Sequence, residues 1–290
     1  MRSFGIMQGR LTPSEGRGIQ FFPFDFWEEE FYLAAKLGLD EIEYIFDYDN
    51  FYNNPIWSED GIRQLKEVIN KTGVTVKSVC WDYFMRRSFY KSQEDLTIKV
   101  ALEKENKEFF IRTIRAMKEI GASLIEIPMV DDSSIRNSAE LEEATKFIQW
   151  CCDEAEKENI LVGLENDFPP VDDPISFRHF LESIDRKNVK ANYDSGNSSG
   201  IGYDAKEELV SLNEFVYNVH IKDRVKGNGT VELGTGSADF DNVFHSLKDI
   251  GYKGSFIMQA ARGEDGKEFE NIKSQIEFTK RYLEKYGFES

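Results

Sequence analysis

Histidine and cysteine are scarce in this chain, which has three of each in 290 residues. So few imidazoles exclude any centre that needs many of them, such as a multinuclear zinc cluster. Cys80, Cys151 and Cys152 fit no zinc or redox spacing, and adjacent cysteines rarely pair with each other. A reducing cytoplasm is therefore the expected compartment. Cations are also in deficit: 36 basic residues against 53 acidic ones leave a formal charge of −17. That charge repels a phosphate backbone, so nucleic acid is not an expected partner. No apolar run approaches the roughly 18–20 residues of a membrane span, and MRSFGIMQGRLTP has no apolar stretch of the signal-peptide kind. A membrane partner is not expected either. Linkers and low-complexity runs are missing as well, so residues 1–290 are read as one domain.

What is present is an ordinary apolar fraction of 40%, with 23 Phe and 12 Tyr, enough for a sizeable core. Eight short apolar runs recur along the chain: SFGIMQ (3–8), EIEYIF (41–46), TVKSVC (75–80), LIEIPMV (124–130), ILVGLEN (160–166), VKANYD (189–194), VYNVHI (216–221) and SFIMQA (255–260). They are near-continuous rather than alternating, which suits strands buried on both faces of a parallel sheet. Amphipathic helical patterns follow them over Trp27–Leu37, Ile62–Thr72, Asn106–Ile120, Ala139–Glu158, Ile175–Ile184, Lys206–Phe215, Phe240–Ile250 and Phe269–Tyr286. Gly38, Gly73, Gly121 and Gly251 stand where such helices stop.

Eight strand–helix units at this length predict an α/β fold, a single (β/α)8 TIM barrel, which typically needs about 250 residues. A doubly wound open sheet would want a GxGxxG turn after the first strand, and the chain has Gln8-Gly9-Arg10-Leu11-Thr12-Pro13 there. The longest irregular stretches, Gly9–Asp25 and Trp81–Asp95, fall after the first and third runs, at the face where barrel active sites sit.

Polar residues close four successive runs: Glu165 in GLEND, Asp194 in NYDSGN, His220 in HIKDR and Gln259 in IMQAAR. In a barrel these ends form one arc of the rim. Two carboxylates, an imidazole and an amide oxygen make a donor set for one divalent ion. Taken singly, each has a plainer reading: a solvated strand edge for Glu165, a turn at Asp-Ser-Gly-Asn for Asp194, a satisfied core histidine for His220. Four in register at strand ends are harder to explain that way, because buried charges are costly unless paired or metal-bound.

The landmarks GIMQGRLTP, LGLDEIEYIFD, SVCWDYFM, GLEND, YDSGN, HIKDR with the later GTGSADF, and FIMQAAR resemble the xylose-isomerase-like barrel superfamily of sugar and sugar-phosphate isomerases and epimerases, which also contains endonuclease IV. The resemblance spans nearly the whole chain. It implies one Mn2+, Co2+, Mg2+ or Zn2+ ion held by Glu165, Asp194, His220 and the residue at 259, and proton exchange beside a ketose carbonyl through a cis-enediolate with Glu165 as base. The epimerase-like members have Glu where this chain has Gln259. An amide oxygen still ligates, but it accepts no proton near pH 7. One-base aldose–ketose isomerisation is then the simpler chemistry, unless Glu126 or Asp82 supplies a second base for epimerisation.

A dehydratase or lyase using the same ion and base, and a non-catalytic carbohydrate- or partner-binding barrel, are the alternatives. The endonuclease branch fits poorly, since His179 and His245 lie on helix patterns and the charge opposes DNA. On the substrate side, Arg10, Lys222, Arg224 and Arg262 at the rim are candidates for an anionic group, and Asp82, Asn166 and Asn197 for sugar hydroxyls. Trp81, Tyr83 and Phe84 either stack on a sugar face or pack on the barrel top. Phe21, Phe22 and Phe24 either form a lid or a partner surface, self-association included, or pack within their loop.

Overall fold

The computed structural model describes residues 3–14, 16–90, 95–166 and 173–288. Eight strands close a parallel barrel: β1 (Phe4–Met7), β2 (Glu41–Ile45), β3 (Ser78–Cys80), β4 (Leu124–Glu126), β5 (Leu161–Glu165), β6 (Val189–Asp194), β7 (Val216–Ile221) and β10 (Ser255–Met258). They neighbour one another in chain order, and β10 pairs with β1 to shut the ring. The expected (β/α)8 barrel is therefore the fold. Each apolar run contains its strand. The fourth is cut from seven residues to three, because Pro128 has no N–H for the ladder. A two-stranded antiparallel ribbon, β8 (Asp223–Arg224) with β9 (Thr230–Val231), stands beyond β7.

The helices are α1 (Trp27–Lys36), α2 (Glu59–Thr72), α3 (Tyr83–Arg87), α4 (Leu96–Ile120), α5 (Ser138–Glu156), α6 (Pro174–Ile184), α7 (Ser195–Ile201), α8 (Ala205–Leu212), α9 (Phe240–Asp249) and α10 (Glu268–Tyr286). Three differ from the sequence expectation. The third pattern, expected from Asn106, starts at Leu96, where the Asp95 carboxylate accepts from the N–H groups of Thr97 and Ile98. α3 occupies part of the stretch after β3 expected to be irregular. Asp-Ser-Gly-Asn, read as a turn, begins α7: the Asp194 Oδ1 accepts from Gly196 N at 2.7 Å and Asn197 N at 2.9 Å. Turn formers and N-caps are the same residue types, and the chain here continues into a helix. Gly196 lets that first turn lie on β7's extension, since a Cβ there would stand 2.6 Å from Lys222 Cγ.

TIM-barrel interiors are ordinarily filled with branched aliphatic side chains. This one carries Glu43, Ser78, Glu126, Asn192, Asn218 and His220, all buried. Polar groups so placed need partners from one another, and their network leads to the C-terminal mouth. The aromatics after β3 lie in the packing around it. Trp81 and Phe84 stack at 5.6 Å between ring centroids, and Trp81, Tyr83 and Phe84 are at most 1% exposed, so they pack and do not face a ligand. His179 and His245 lie on α6 and α9, as their helix patterns predicted.

Candidate active site

Register brings the predicted arc together. Asp194 pairs with His220 across β6 and β7, Glu165 sits beside Asn192 across β5 and β6, and Ile257, two residues before Gln259, pairs with His220. One ligand atom each of Glu165, Asp194 and His220 lie within 4.8 Å of one another. His220 is fully buried, with Nδ1 2.9 Å from Glu165 Oε1 and 3.9 Å from Asp194 Oδ2. Its other nitrogen, Nε2, is 2.6 Å from Glu43 Oε1 and 3.7 Å from Glu126 Oε2.

Both ring nitrogens thus face carboxylates, and both donate. Burial disfavours the charged ring, but Glu43, Glu126 and the bond to Glu165 outweigh it and hold the imidazole pKa well above its ordinary value. Conversely, Glu43 stays ionised although burial opposes its charge, because His220, Ser78 and Asn218 all donate to it. Burial and the neighbouring carboxylates push Glu126 well up, against the opposing pull of His220.

Glu43 is the residue that sequence reasoning missed. It accepts from Ser78 Oγ at 2.5 Å and Asn218 Nδ2 at 2.8 Å as well as from His220. The signal was there in EIEYI: two glutamates inside a run buried on both faces. Asn192, whose Nδ2 lies 3.3 Å from Glu165 Oε1 and 3.2 Å from both ring nitrogens, was also missed.

This donor set fits a divalent ion. Glu43 fixes the Nε2–H, so Nδ1, which faces Glu165 and Asp194, is the nitrogen that would give up its proton to ligate an ion, the carboxylate–histidine arrangement that supports metal ligands. Gln259 is 5% exposed, and its Oε1 has no hydrogen-bond partner. An orphaned buried acceptor of this kind calls for a cation or donor. Glu165, Asp194, His220 and Gln259 are the residues that would hold the ion.

Above them opens a cavity of about 540 Å³, with Glu165, Lys222, Gln259, Asp82 and Glu126 in its wall. Lys222 Nζ bonds Asp194 Oδ2 and Asn197 Oδ1, both at 3.1 Å. Burial raises the Asp82 pKa to about 7 against bonds from Cys80 and Gln20. The other predicted substrate residues are not brought to this wall. Arg10 is buried, donating to the carbonyls of Ala260 and Ile19. Arg262 donates to the Thr12 carbonyl, and its guanidinium lies over the Phe21 ring. Asn166 Nδ2 donates to Glu208 Oε1 at 2.9 Å, and its Oδ1 accepts from Asp194 N at 2.9 Å. Asn197 holds Lys222 and Arg224, the latter at 3.2 Å. The cations that line the cavity with Lys222 are Arg17 and Arg86, from loop and helix positions that no periodicity marks.

Phe21 belongs to the cavity wall, while Phe22 packs against Phe24 and Tyr44. The HIKDR and GTGSADF segments meet through Asp223, whose carboxylate accepts from the N–H groups of Gly234, Gly236 and Ala238 at 2.8–3.0 Å. That motif pair shapes the loop beyond β7. Asp167 of GLEND lies outside the described residues.

A closed parallel barrel with an acid–imidazole centre at the C-terminal strand ends defines a (β/α)8 protein of the kind whose enzymes carry their chemistry at that face. The chain belongs to the xylose isomerase-like TIM barrel family, whose model matches residues 31–282. It is 26% identical over 242 residues, 80% of this chain and 81% of that protein, to L-ribulose-5-phosphate 3-epimerase UlaE of Escherichia coli. Two solved structures share the fold. An L-ribulose 3-epimerase superposes with a TM-score of 0.75 at 14% identity, covering 99% of this chain and 96% of that one. A D-allulose 3-epimerase from Methylomonas sp. in complex with D-allulose gives 0.75 at 15% identity, covering 97% of each. Among the described residues no helix is long and apolar enough to cross a membrane.

Proposed function

We propose that the chain is a divalent-ion-dependent epimerase of a ketose or ketose phosphate. The observation that carries this is the set of ligand atoms from Glu165, Asp194 and His220 within 4.8 Å of one another, on a rim where Glu165 also lines the cavity. The likeness to a ribulose-phosphate epimerase over most of the chain favours epimerisation over the isomerisation that Gln259 alone suggested. A Mn2+, Co2+, Mg2+ or Zn2+ ion on these residues would supply Lewis-acid polarisation of a carbonyl oxygen.

Glu165 is the base that takes the proton from the carbon beside the carbonyl. Epimerisation leaves that proton on Glu165 and needs a second proton delivered to the opposite face, which Gln259 cannot supply, because a neutral amide is neither a general acid nor a general base near pH 7. Asp82 fills that role: it lies in the same wall, and a pKa near 7 suits a group that both gives and takes a proton. Lys222, Arg17 and Arg86 are the cations in the cavity wall that an anionic end of the substrate would meet.

The test is proton NMR of a ketose and ketose-5-phosphate panel in D2O with Mn2+, for wild type, Glu165→Gln and Asp82→Asn. The expected result is deuterium at the epimerised carbon for wild type only. A deoxy-keto product would identify a lyase instead. Tight sugar binding with no deuterium incorporation would identify a non-catalytic barrel.

A further inference from the structure

We propose that Gln20 is a positioning residue that turns the carboxamide of Gln259 so that its oxygen, and not its nitrogen, is offered to the ion; the inference rests on the metal-centre reading above. Gln20 comes from the loop between β1 and α1 and stands between Asp82 and Gln259. Its Nε2 donates to the two oxygens of Asp82 at 3.1 and 3.0 Å, and its Oε1 accepts from Gln259 Nε2 at 3.0 Å.

The direction of this chain is fixed from one end. The Gln20 atom lies against both Asp82 oxygens, and a carboxyl group, ionised or carrying one proton, always keeps at least one oxygen that only accepts, so Asp82 faces the Gln20 amide nitrogen. The Gln20 oxygen is then the end facing Gln259, and only the Gln259 nitrogen can satisfy it. What remains is the Gln259 oxygen, which is the buried atom found without a partner. Reversing Gln259 would set two amide oxygens against each other, and reversing Gln20 as well would set an oxygen against the Asp82 carboxylate.

The backbone holds both glutamines where this works. Arg10 donates to the carbonyls of Ile19 and Ala260, the immediate neighbours of Gln20 and Gln259. Glu30 on α1 anchors the same loop by accepting from Gly9 N at 2.8 Å, Leu11 N at 3.0 Å and Thr12 Oγ1 at 3.1 Å. A glutamate at 259 would need none of this, because either of its oxygens serves as a ligand. A glutamine needs its orientation set, and Gln20 with Asp82 sets it.

Calorimetric titration of the metal-stripped full chain with Mn2+ tests this in four forms: wild type, Gln20→Met, Gln259→Glu and the double variant. Methionine keeps the length of Gln20 and removes both hydrogen-bonding groups. The expected loss for Gln20→Met is about 10–100-fold in Mn2+ affinity, the size of other outer-shell changes. The same change made on Gln259→Glu should cost no affinity, because a carboxylate at 259 offers the ion an oxygen either way round and Gln20 Oε1 would only oppose it. Equal losses in both backgrounds, or none in either, overturn the proposal.

A second readout needs no ion. In the metal-free protein labelled with 15N, the side-chain NH2 of Gln259 should exchange slowly in wild type and fast in Gln20→Met, and fast exchange in both overturns the proposal. A wild type that binds no Mn2+ overturns the metal-centre reading and the ligand role of Gln259 with it. A wild type that binds Mn2+ with equal losses in both backgrounds overturns the role of Gln20 alone.

Discussion

Removing the Glu43 carboxylate should unseat His220 from beneath. Glu43→Ala takes away the acceptor for His220 Nε2 at 2.6 Å, Ser78 Oγ at 2.5 Å and Asn218 Nδ2 at 2.8 Å, all inside the barrel. Breaking a buried ion pair from one side costs about 3–5 kcal/mol. Each hydrogen bond to the charged carboxylate that is lost adds about 1.5–3 kcal/mol, part of it the cost of a buried donor left unpaired. The total approaches the roughly 5–15 kcal/mol of a whole domain, so the alanine variant is expected to fold marginally.

Glu43→Gln is the sharper perturbation. It keeps the volume and one oxygen for the Nε2–H, and it sets an NH2 against the donors Ser78 and Asn218. The expected cost is about 1–3 kcal/mol of stability, with Mn2+ affinity about 10–100-fold weaker because the ring is less firmly held with Nδ1 toward the rim. Urea denaturation and Mn2+ calorimetry on the same preparations measure both. A glutamine variant with wild-type stability and wild-type Mn2+ affinity would refute the claim that Glu43 holds the imidazole.

Other substitutions probe the neighbouring parts. Glu165→Gln should lower epimerisation by about 10²–10⁴-fold while a competitive sugar ligand still binds, as steady-state kinetics and ligand titration would show. Glu208 is buried with its pKa raised from 4.5 to about 7, chiefly by desolvation. Above pH 7 the folded protein must therefore hold a charge that the unfolded chain carries freely. Stability from this source falls as pH rises from about 4.5 to 7, and Glu208→Gln should be nearly neutral at pH 4.5 and stabilising by up to about 3 kcal/mol at pH 8. Thermal melts across that range check the sign, and a benefit that is larger at low pH would contradict it. A Cβ at Gly236 would stand 2.3 Å from Asp223 Oδ1 and 2.7 Å from the Arg224 carbonyl. Gly236→Ala should therefore cost about 1–3 kcal/mol by chemical denaturation.

The barrel and three of its ligand-type residues were legible in the sequence for a physical reason. Strands buried on both faces read as apolar runs, and a charged residue at the end of such a run is conspicuous. Glu165, Asp194 and His220 were found in that way. Glu43 obeys the same rule but sits in the middle of its run, where it was not weighed. Gln20, Arg17 and Arg86 lie in a loop or short helix where no period marks which side chain faces the cavity. Arg10 and Arg262 misled for the opposite reason. A guanidinium near the rim suggests an anion, yet these two donate to backbone carbonyls of each other's loops, Arg10 to Ala260 and Arg262 to Thr12.

Anomalous diffraction from crystals grown with Mn2+ tests the central claim most directly. The account predicts one peak within about 2.0–2.3 Å of oxygens of Glu165, Asp194 and Gln259 and of His220 Nδ1. No peak there, or a peak on the opposite side of the ring between Glu43, Glu126 and Nε2, would contradict it.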